Sequence, residues 1–256
     1  MTRAWLAWAA ALLACVLAGA HAEVPWHQRQ SSSALLSPST LAMQEDMGLN
    51  PASLWLADGQ ALWQEAPASA APTCQGCHGD LARMKGVANR FPRLGANGLI
   101  NLDDQINQCR QQRQHAPAWP MESAPLLALS LALTAPSRGL PIEVPDDARL
   151  AAERAQGEQL YTQRMGQIQL SCAHCHDQRW GQKLAGVTIP QAHPTGYPIY
   201  RLEWQSVGSL ERRMRNCMNA VRALPFPPAA QPWRQLELYL KWRARGMAIE
   251  TPAVRP

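Results

Sequence analysis

Beyond residue 22 the sequence has no apolar run approaching the roughly 20 residues that a membrane-spanning helix takes. It has no run of five or more like charges, and its arginines are scattered among acids, at a formal net charge of +5. These absences exclude a nucleic-acid footprint and a membrane span beyond the leader. Weak attraction to acidic protein partners is the most this charge supports. Neither cysteine cluster has a second pair of zinc-type ligands nearby, which argues against a structural zinc module.

The N-terminus does carry an apolar run. Arg3 supplies a positive start, Trp5 to Leu17 is apolar, and Ala20-His21-Ala22 has the small-x-small form of a cleavage site. Residues 1–22 are therefore expected to be a secretory signal peptide, cleaved near Ala22. The protein is expected outside the cytoplasm, in the periplasm of a Gram-negative host. Leu12-Leu13-Ala14-Cys15 loosely resembles a lipoprotein box, which would make Cys15 a lipidation site. The remaining length of about 230 residues suits one large domain or two small ones.

Six cysteines follow the leader: Cys74, Cys77, Cys109, Cys172, Cys175 and Cys217. In an oxidising compartment they could form three disulfides. The spacing points elsewhere. Cys74-Gln75-Gly76-Cys77-His78 and Cys172-Ala173-His174-Cys175-His176 are both C-x-x-C-H, the attachment pattern of haem c. Two thiols three apart on one helical turn add to the haem vinyl groups, and the following histidine reaches the iron. Cys74, Cys77, Cys172 and Cys175 are thus the covalent attachment points of two haem c groups. His78 and His176 are the proximal ligands, and His174 is an ordinary intervening residue.

The chain also repeats itself. Gly59-Gln60-Ala61-Leu62-Trp63 stands fifteen residues before Cys74, and Gly157-Glu158-Gln159-Leu160-Tyr161 stands at the same offset before Cys172. Phe91-Pro92-Arg93-Leu94 is echoed by Tyr197-Pro198 and Arg201-Leu202, and Gly139 to Pro145 by Gly246 to Pro252. A period of about 100 residues is a domain duplication. The expected architecture is mainly α: two duplicated cytochrome c-like haem domains with long irregular connections. An N-terminal extension over 23–50 precedes a first domain over 51–145 and a second over 146–256.

Cys109 and Cys217 occupy the same place in this repeat. With Asn101 as N-cap and Asp103 and Asp104 in the first turn, Leu102, Ile106 and Cys109 share one helical face. Leu210, Met214 and Cys217 do the same. Both cysteines are expected to point inward as distal iron ligands. Met121 and Met218 are the alternatives, Met214 is core, and a Cys109–Cys217 disulfide is the plain competing reading. The halves differ in charge. Arg213 and Arg222 flank Cys217 where Gln105 and Gln114 flank Cys109, and Arg215 is close by. Cations beside a cysteine stabilise a thiolate or persulfide and bind oxyanions.

Ser171 to Asp177, Trp180-Gly181, Leu184-Ala185-Gly186, Tyr197 to Arg201, Arg213-x-x-x-Cys217, Arg222-Ala223-x-Pro225 and Leu236 to Leu240 together resemble the SoxA family of bacterial thiosulfate oxidation, in its dihaem form. The resemblance spans most of the chain after the leader. It implies a sulfur transferase that joins thiosulfate to a cysteine of a SoxYZ-like carrier. A SoxX-like monohaem cytochrome is the implied heterodimer partner and takes the electrons. By the same resemblance Cys217 is catalytic and carried as a persulfide, Arg213 holds the sulfonate, and the first haem is a structural or vestigial centre. A thiosulfate dehydrogenase forming tetrathionate and a plain dihaem electron carrier are the competing functions.

Overall fold

The computed structural model describes residues 24–145 and 147–256. The expected signal peptide, with its expected cleavage site near Ala22 and Cys15, lies outside them. Among the described residues no helix is long and apolar enough to cross a membrane.

Each half is built on a pair of packed helices. In the first, α2 (Ala52–Gln64) crosses α5 (Ala124–Thr134); in the second, α6 (Leu150–Thr162) crosses α9 (Gln231–Arg243). The repeated glycines explain the crossings. A Cβ on Gly59 would stand 2.1 Å from the Ala128 carbonyl oxygen, and one on Gly157 would stand 2.1 Å from that of Gln235. Only a residue without a side chain lets the helix backbones approach this closely. Between the paired helices run a one-turn helix carrying the C-x-x-C-H motif, a short hairpin, and a helix carrying the lone cysteine. In the first half these are α3 (Cys74–His78), β1 (Arg93–Gly95) with β2 (Gly98–Ile100), and α4 (Leu102–Gln112). In the second they are α7 (Cys172–His176), β5 (Ile199–Arg201) with β6 (Ser206–Gly208), and α8 (Leu210–Ala220). A two-residue ladder, β3 (Lys183–Leu184) with β4 (Val187–Thr188), has no equivalent among the first half's strands.

The cap expected at Asn101 is formed, and Ser209 caps the equivalent helix of the second half. Asn101 and Asp104 make a reciprocal capping box at the start of α4, and Ser209 Oγ accepts from the Arg212 amide at the start of α8.

A pseudo-twofold relation joins the halves. The repeated phrases around Gly139 and Gly246 pair with each other. Gly139 N–H donates to the Ile249 carbonyl, and Gly246 N–H to that of Ile142, each at 2.8 Å. The bonds are exchanged by the repeat, the hallmark of an isologous contact. Both glycines have positive φ, at 81° and 83°. Each closing helix also packs on the opposite hairpin, α9 on β2 and α5 on β6. Leu126 to Thr134 of α5 is buried on every side, because one face meets α2 and the other meets Val207 and Tyr200. Helix α9 solves the same problem with polar groups. Gln231, Arg234, Glu237 and Lys241 form a stripe toward the first half, where the Gln231 amide clamps both backbone groups of Leu99 at 2.9 Å.

Asp103, Glu211, Glu237 and Lys241 line a small cavity of about 60 Å³ between the halves. Burial pushes the Asp103 carboxyl up to about 7, and Glu237 adds to the rise. An acid whose folded pKa is raised binds more protons folded than unfolded between the two values. Its contribution is complete below about 3.8 and is lost as pH rises toward about 7. Asp103→Asn is expected to flatten this decline and raise the melting temperature at pH 8. Denaturation scans between pH 4 and pH 8 check it.

The N-terminal extension belongs to the second half in space. Gln191 and the Gln28–Gln30 backbone exchange hydrogen bonds, Ser33 Oγ donates to Glu250 at 2.6 Å, and α1 (Pro38–Glu45) packs on the C-terminal strand β7 (Ala253–Arg255). That strand joins β5 in parallel.

Candidate active site

A cavity of about 320 Å³ opens in the second half, over α7 and α8. Its floor is apolar: Tyr161, Met165, Met214, Met218, Trp233, Leu236 and Leu240. The N-terminal extension adds Ser32, Leu35 and Leu36 to the wall. Cys172, His176, Arg213 and Cys217, predicted from sequence, all line it. Cys175, half-buried, follows one turn after Cys172 on α7.

His176 is oriented by its back side. Its Nδ1 lies 2.6 Å from the Pro190 carbonyl, so Nδ1 carries the proton and Nε2 is left as the lone-pair donor. Cys217 lines the same cavity, and its thiol lies within hydrogen-bonding reach of this imidazole. Burial opposes ionisation of Cys217, but His176, Arg213 and Arg201 overcome it and hold the thiol below its ordinary range. Cys172 behaves oppositely: burial, with Cys217 nearby, pushes it up to about 12. The donor set fits haem c. Two thiols share one helical turn, an imidazole is pre-oriented by a carbonyl, a further sulfur lies beside it, and all border an apolar cavity. Met218 packs in the core beneath, and Met214 both packs there and lines the wall. His174 is a capping residue: Ser171 N–H donates to its Nδ1 at 3.1 Å.

The arginines near Cys217 separate by role. Arg212 bonds Ser206 Oγ at 3.2 Å and stacks on Trp204, and Arg215 pairs with Glu211 at 3.1 Å. Arg222 is exposed, five residues past Cys217, in a left-handed conformation with φ 56°, and it does not line the cavity. Arg222 was expected to flank the site; α8 ends at Ala220, and Arg222 lies on the turn that follows. Arg213 is the α8 arginine that lines the cavity, four residues before Cys217, one helical turn away.

Three cavity groups were not predicted from sequence. Ile199 and Arg201 present one face of β5 to the cavity, with Tyr197 just before the strand beside them, while Tyr200 turns to the first half. His193, in the wall, has its Nδ1 3.1 Å from the Gln30 carbonyl, and burial lowers its pKa to about 4. Arg255 completes the rim. Beside α7, Arg243 is stacked on Tyr161 and paired with Asp177 at 2.5 Å, and the Tyr161 hydroxyl donates to the same carboxylate.

The first half gathers Cys74, Cys77, His78 and Cys109 on α3 and α4, in a more open setting. Cys77 and His78 are exposed, and Cys74 is half-buried. Burial raises the Cys74 thiol, and Cys109 lies within its electrostatic reach. Gln105 Nε2 donates to Cys109 Sγ at 3.3 Å, and the Trp63 ring lies 5.8 Å from that of His78. Met121 packs against this core. All six thiols are free of disulfides.

A family model described as SoxA/TsdA, cytochrome c domain, matches residues 58–142 and again 156–249. The chain is 30% identical to the L-cysteine S-thiosulfotransferase subunit SoxA of Pseudaminobacter salicylatoxidans, over 90% of this chain and 82% of that one. It is 28% identical to the protein of the same description from Rhodovulum sulfidophilum, over 92% and 83%. Its fold is similar to the crystal structure of SoxXA from P. pantotrophus, with a TM-score of 0.85 and 26% identity over 89% of this chain and 87% of that one.

Proposed function

The chain belongs to the SoxA/TsdA cytochrome c family, and from that premise we propose that it is the SoxA-type subunit of an L-cysteine S-thiosulfotransferase. The reaction joins thiosulfate to the cysteine thiol of a carrier protein. A sulfur–sulfur bond forms, the S–H bond breaks, and one proton and two electrons leave. The relatives' descriptions support the reaction class. The observation that carries the site assignment is the meeting of Cys217, His176 and Arg213 at one cavity wall.

In this reading Cys172 and Cys175 would attach haem c, and His176 and Cys217 would hold its iron. When bound, the haem supplies an electron acceptor beside the sulfur. The chain's own residues do the rest. Cys217 is the catalytic sulfur, carried as a persulfide, and its electropositive surroundings favour an anionic sulfur. Arg213 holds the sulfonate through its forked donors. Pro190 fixes the His176 tautomer. The apolar floor keeps water from the reacting sulfur, which strengthens these charges. Cys74, Cys77, His78 and Cys109 hold a second haem c as a structural centre. The partner is a SoxX-like cytochrome, in line with the SoxXA assembly of the solved relative, and the carrier is SoxYZ-like. The protein works in the periplasm after loss of residues 1–22.

Intact mass of the exported protein, before and after thiol reduction, tests the reading. Two haems and one reductant-removable sulfur are expected, on a chain starting near Glu23. A mass without haem would return the six cysteines to disulfides and end the proposal. Tetrathionate formation without a carrier would replace the transferase by a dehydrogenase.

A further inference from the structure

The duplication supplies an internal control for the active site. Strand pairing sets the register. Arg93 pairs with Ile100 just before the Asn101 cap, and Ile199 pairs with Gly208 just before the Ser209 cap. Arg93 therefore corresponds to Ile199, and Gly95 to Arg201. The apparent echo of Arg93 in Arg201 is out of register by two residues. The place of Arg213 is held in the first half by Gln105. Both cavity arginines that act on Cys217 thus have uncharged counterparts around Cys109.

Arg201 is also poorly used by the fold. It is 9% exposed and lines the cavity on the same strand face as Ile199. Its outer end is engaged: Nη2 bonds Glu203 at 3.1 Å, and the guanidinium lies 5.2 Å from the Trp204 ring. Glu203 is 61% exposed, so water screens much of that pair. Its Nε is buried without a hydrogen-bond partner among the described residues. A buried N–H with nothing to donate to is costly in a finished site and calls for a ligand. A second cation, Arg213, stands close enough to repel it, and both reach Cys217. Two like charges held together at one sulfur favour an anionic occupant between them.

We propose that Arg201 is the second anion-binding residue of the Cys217 site, closing with Arg213 on the thiosulfate dianion. This rests on the transferase reading above. Arg213, from the helix, and Arg201, from the strand, approach the sulfonate from different elements, which fixes the outer sulfur toward Cys217. The chemistry explains why a single guanidinium is insufficient: one matches a monoanion, while thiosulfate carries two charges. It also replaces Arg222 as the partner cation.

The test uses the full haem-loaded heterodimer with its carrier. Arg201→Gln is expected to raise KM for thiosulfate about 10- to 100-fold, the loss of one charge-assisted partner, with kcat changed much less. Inhibition by sulfate, used as an inert dianion, weakens in parallel. Arg201→Lys restores part of both, because charge is kept and the fork is lost. Haem content per chain stays at the parent value. An unchanged KM at full haem content overturns the proposal. Loss of haem from both variants also overturns it, by making Arg201 an anchor for a haem carboxylate. If the parent protein itself shows no carrier-dependent thiosulfate turnover, the transferase reading fails, and that outcome is visible before any variant is made.

Discussion

Cys217→Met is expected to abolish thiosulfate transfer, with kcat falling on the order of 10³-fold or more, while the protein still folds and loads haem. Methionine separates two roles that alanine would merge. It keeps a sulfur donor facing His176 but has no thiol to ionise or to carry an extra sulfur. If Cys217 served only as an axial ligand, Cys217→Met would preserve a ligated iron at a higher potential, and turnover would persist at an altered rate. If its sulfur is the reaction centre, the variant is inactive. The corresponding change in the first half, Cys109→Met, is the matched control. It is expected to leave transfer within a few-fold of the parent, since neither Arg201 nor Arg213 has a charged counterpart there. The measurement is carrier-dependent reduction of the acceptor cytochrome. Sustained turnover by Cys217→Met would remove Cys217 from sulfur chemistry altogether.

Much of this site is legible in the sequence, because the features are local. The C-x-x-C-H motifs, the cap at Asn101, and the inward faces of α4 and α8 all follow from spacings within one or two helical turns. The glycines at 59 and 157 were visible as a repeated phrase, but their physical reason, a helix crossing that would leave a Cβ 2.1 Å from a carbonyl oxygen, appears only in three dimensions. Arg201 was hidden for a related cause. Three-residue strands carry too little alternation to announce themselves, and the second hairpin has a longer turn than the first, which displaced the register by two residues. Sequence distance from Cys217 also ignores where the helix ends, which decides on which side Arg222 lies. The role of the N-terminal extension rests on scattered polar contacts with residues more than 150 positions away, such as Gln30 with Gln191. No periodicity records such contacts.

Arg234→Ala is expected to destabilise the protein by about 3–5 kcal/mol, the usual consequence of breaking a buried ion pair from one side. At roughly 2–4 °C per kcal/mol for a chain of this size, the melting temperature falls by about 10 °C. Arg234 is 1% exposed and spans the two halves. It makes a bidentate pair with Asp104 of α4, at 2.7 and 2.8 Å, and bonds Glu211 of α8 at 2.9 Å. Its removal leaves two carboxylates at the interface. Asp104 keeps its capping bond from Asn101, and Glu211 keeps Arg215 and the Ala229 amide. Neither arrangement restores the bridge. The double change Arg234→Ala with Glu211→Gln is expected to recover part of the loss, because one stranded charge is gone. A melting temperature within about 2 °C of the parent, less than 1 kcal/mol at that conversion, would mean that the apolar contact of α5 with β6 orients the halves unaided. The site itself is at stake in this clamp. Glu211 opens the helix that carries Arg213 and Cys217, so Arg234 ties the wall of the catalytic cavity to the first half. A loosened clamp is therefore expected to raise KM for thiosulfate at temperatures well below melting, through misplacement of Arg213, even though Arg234 touches no substrate.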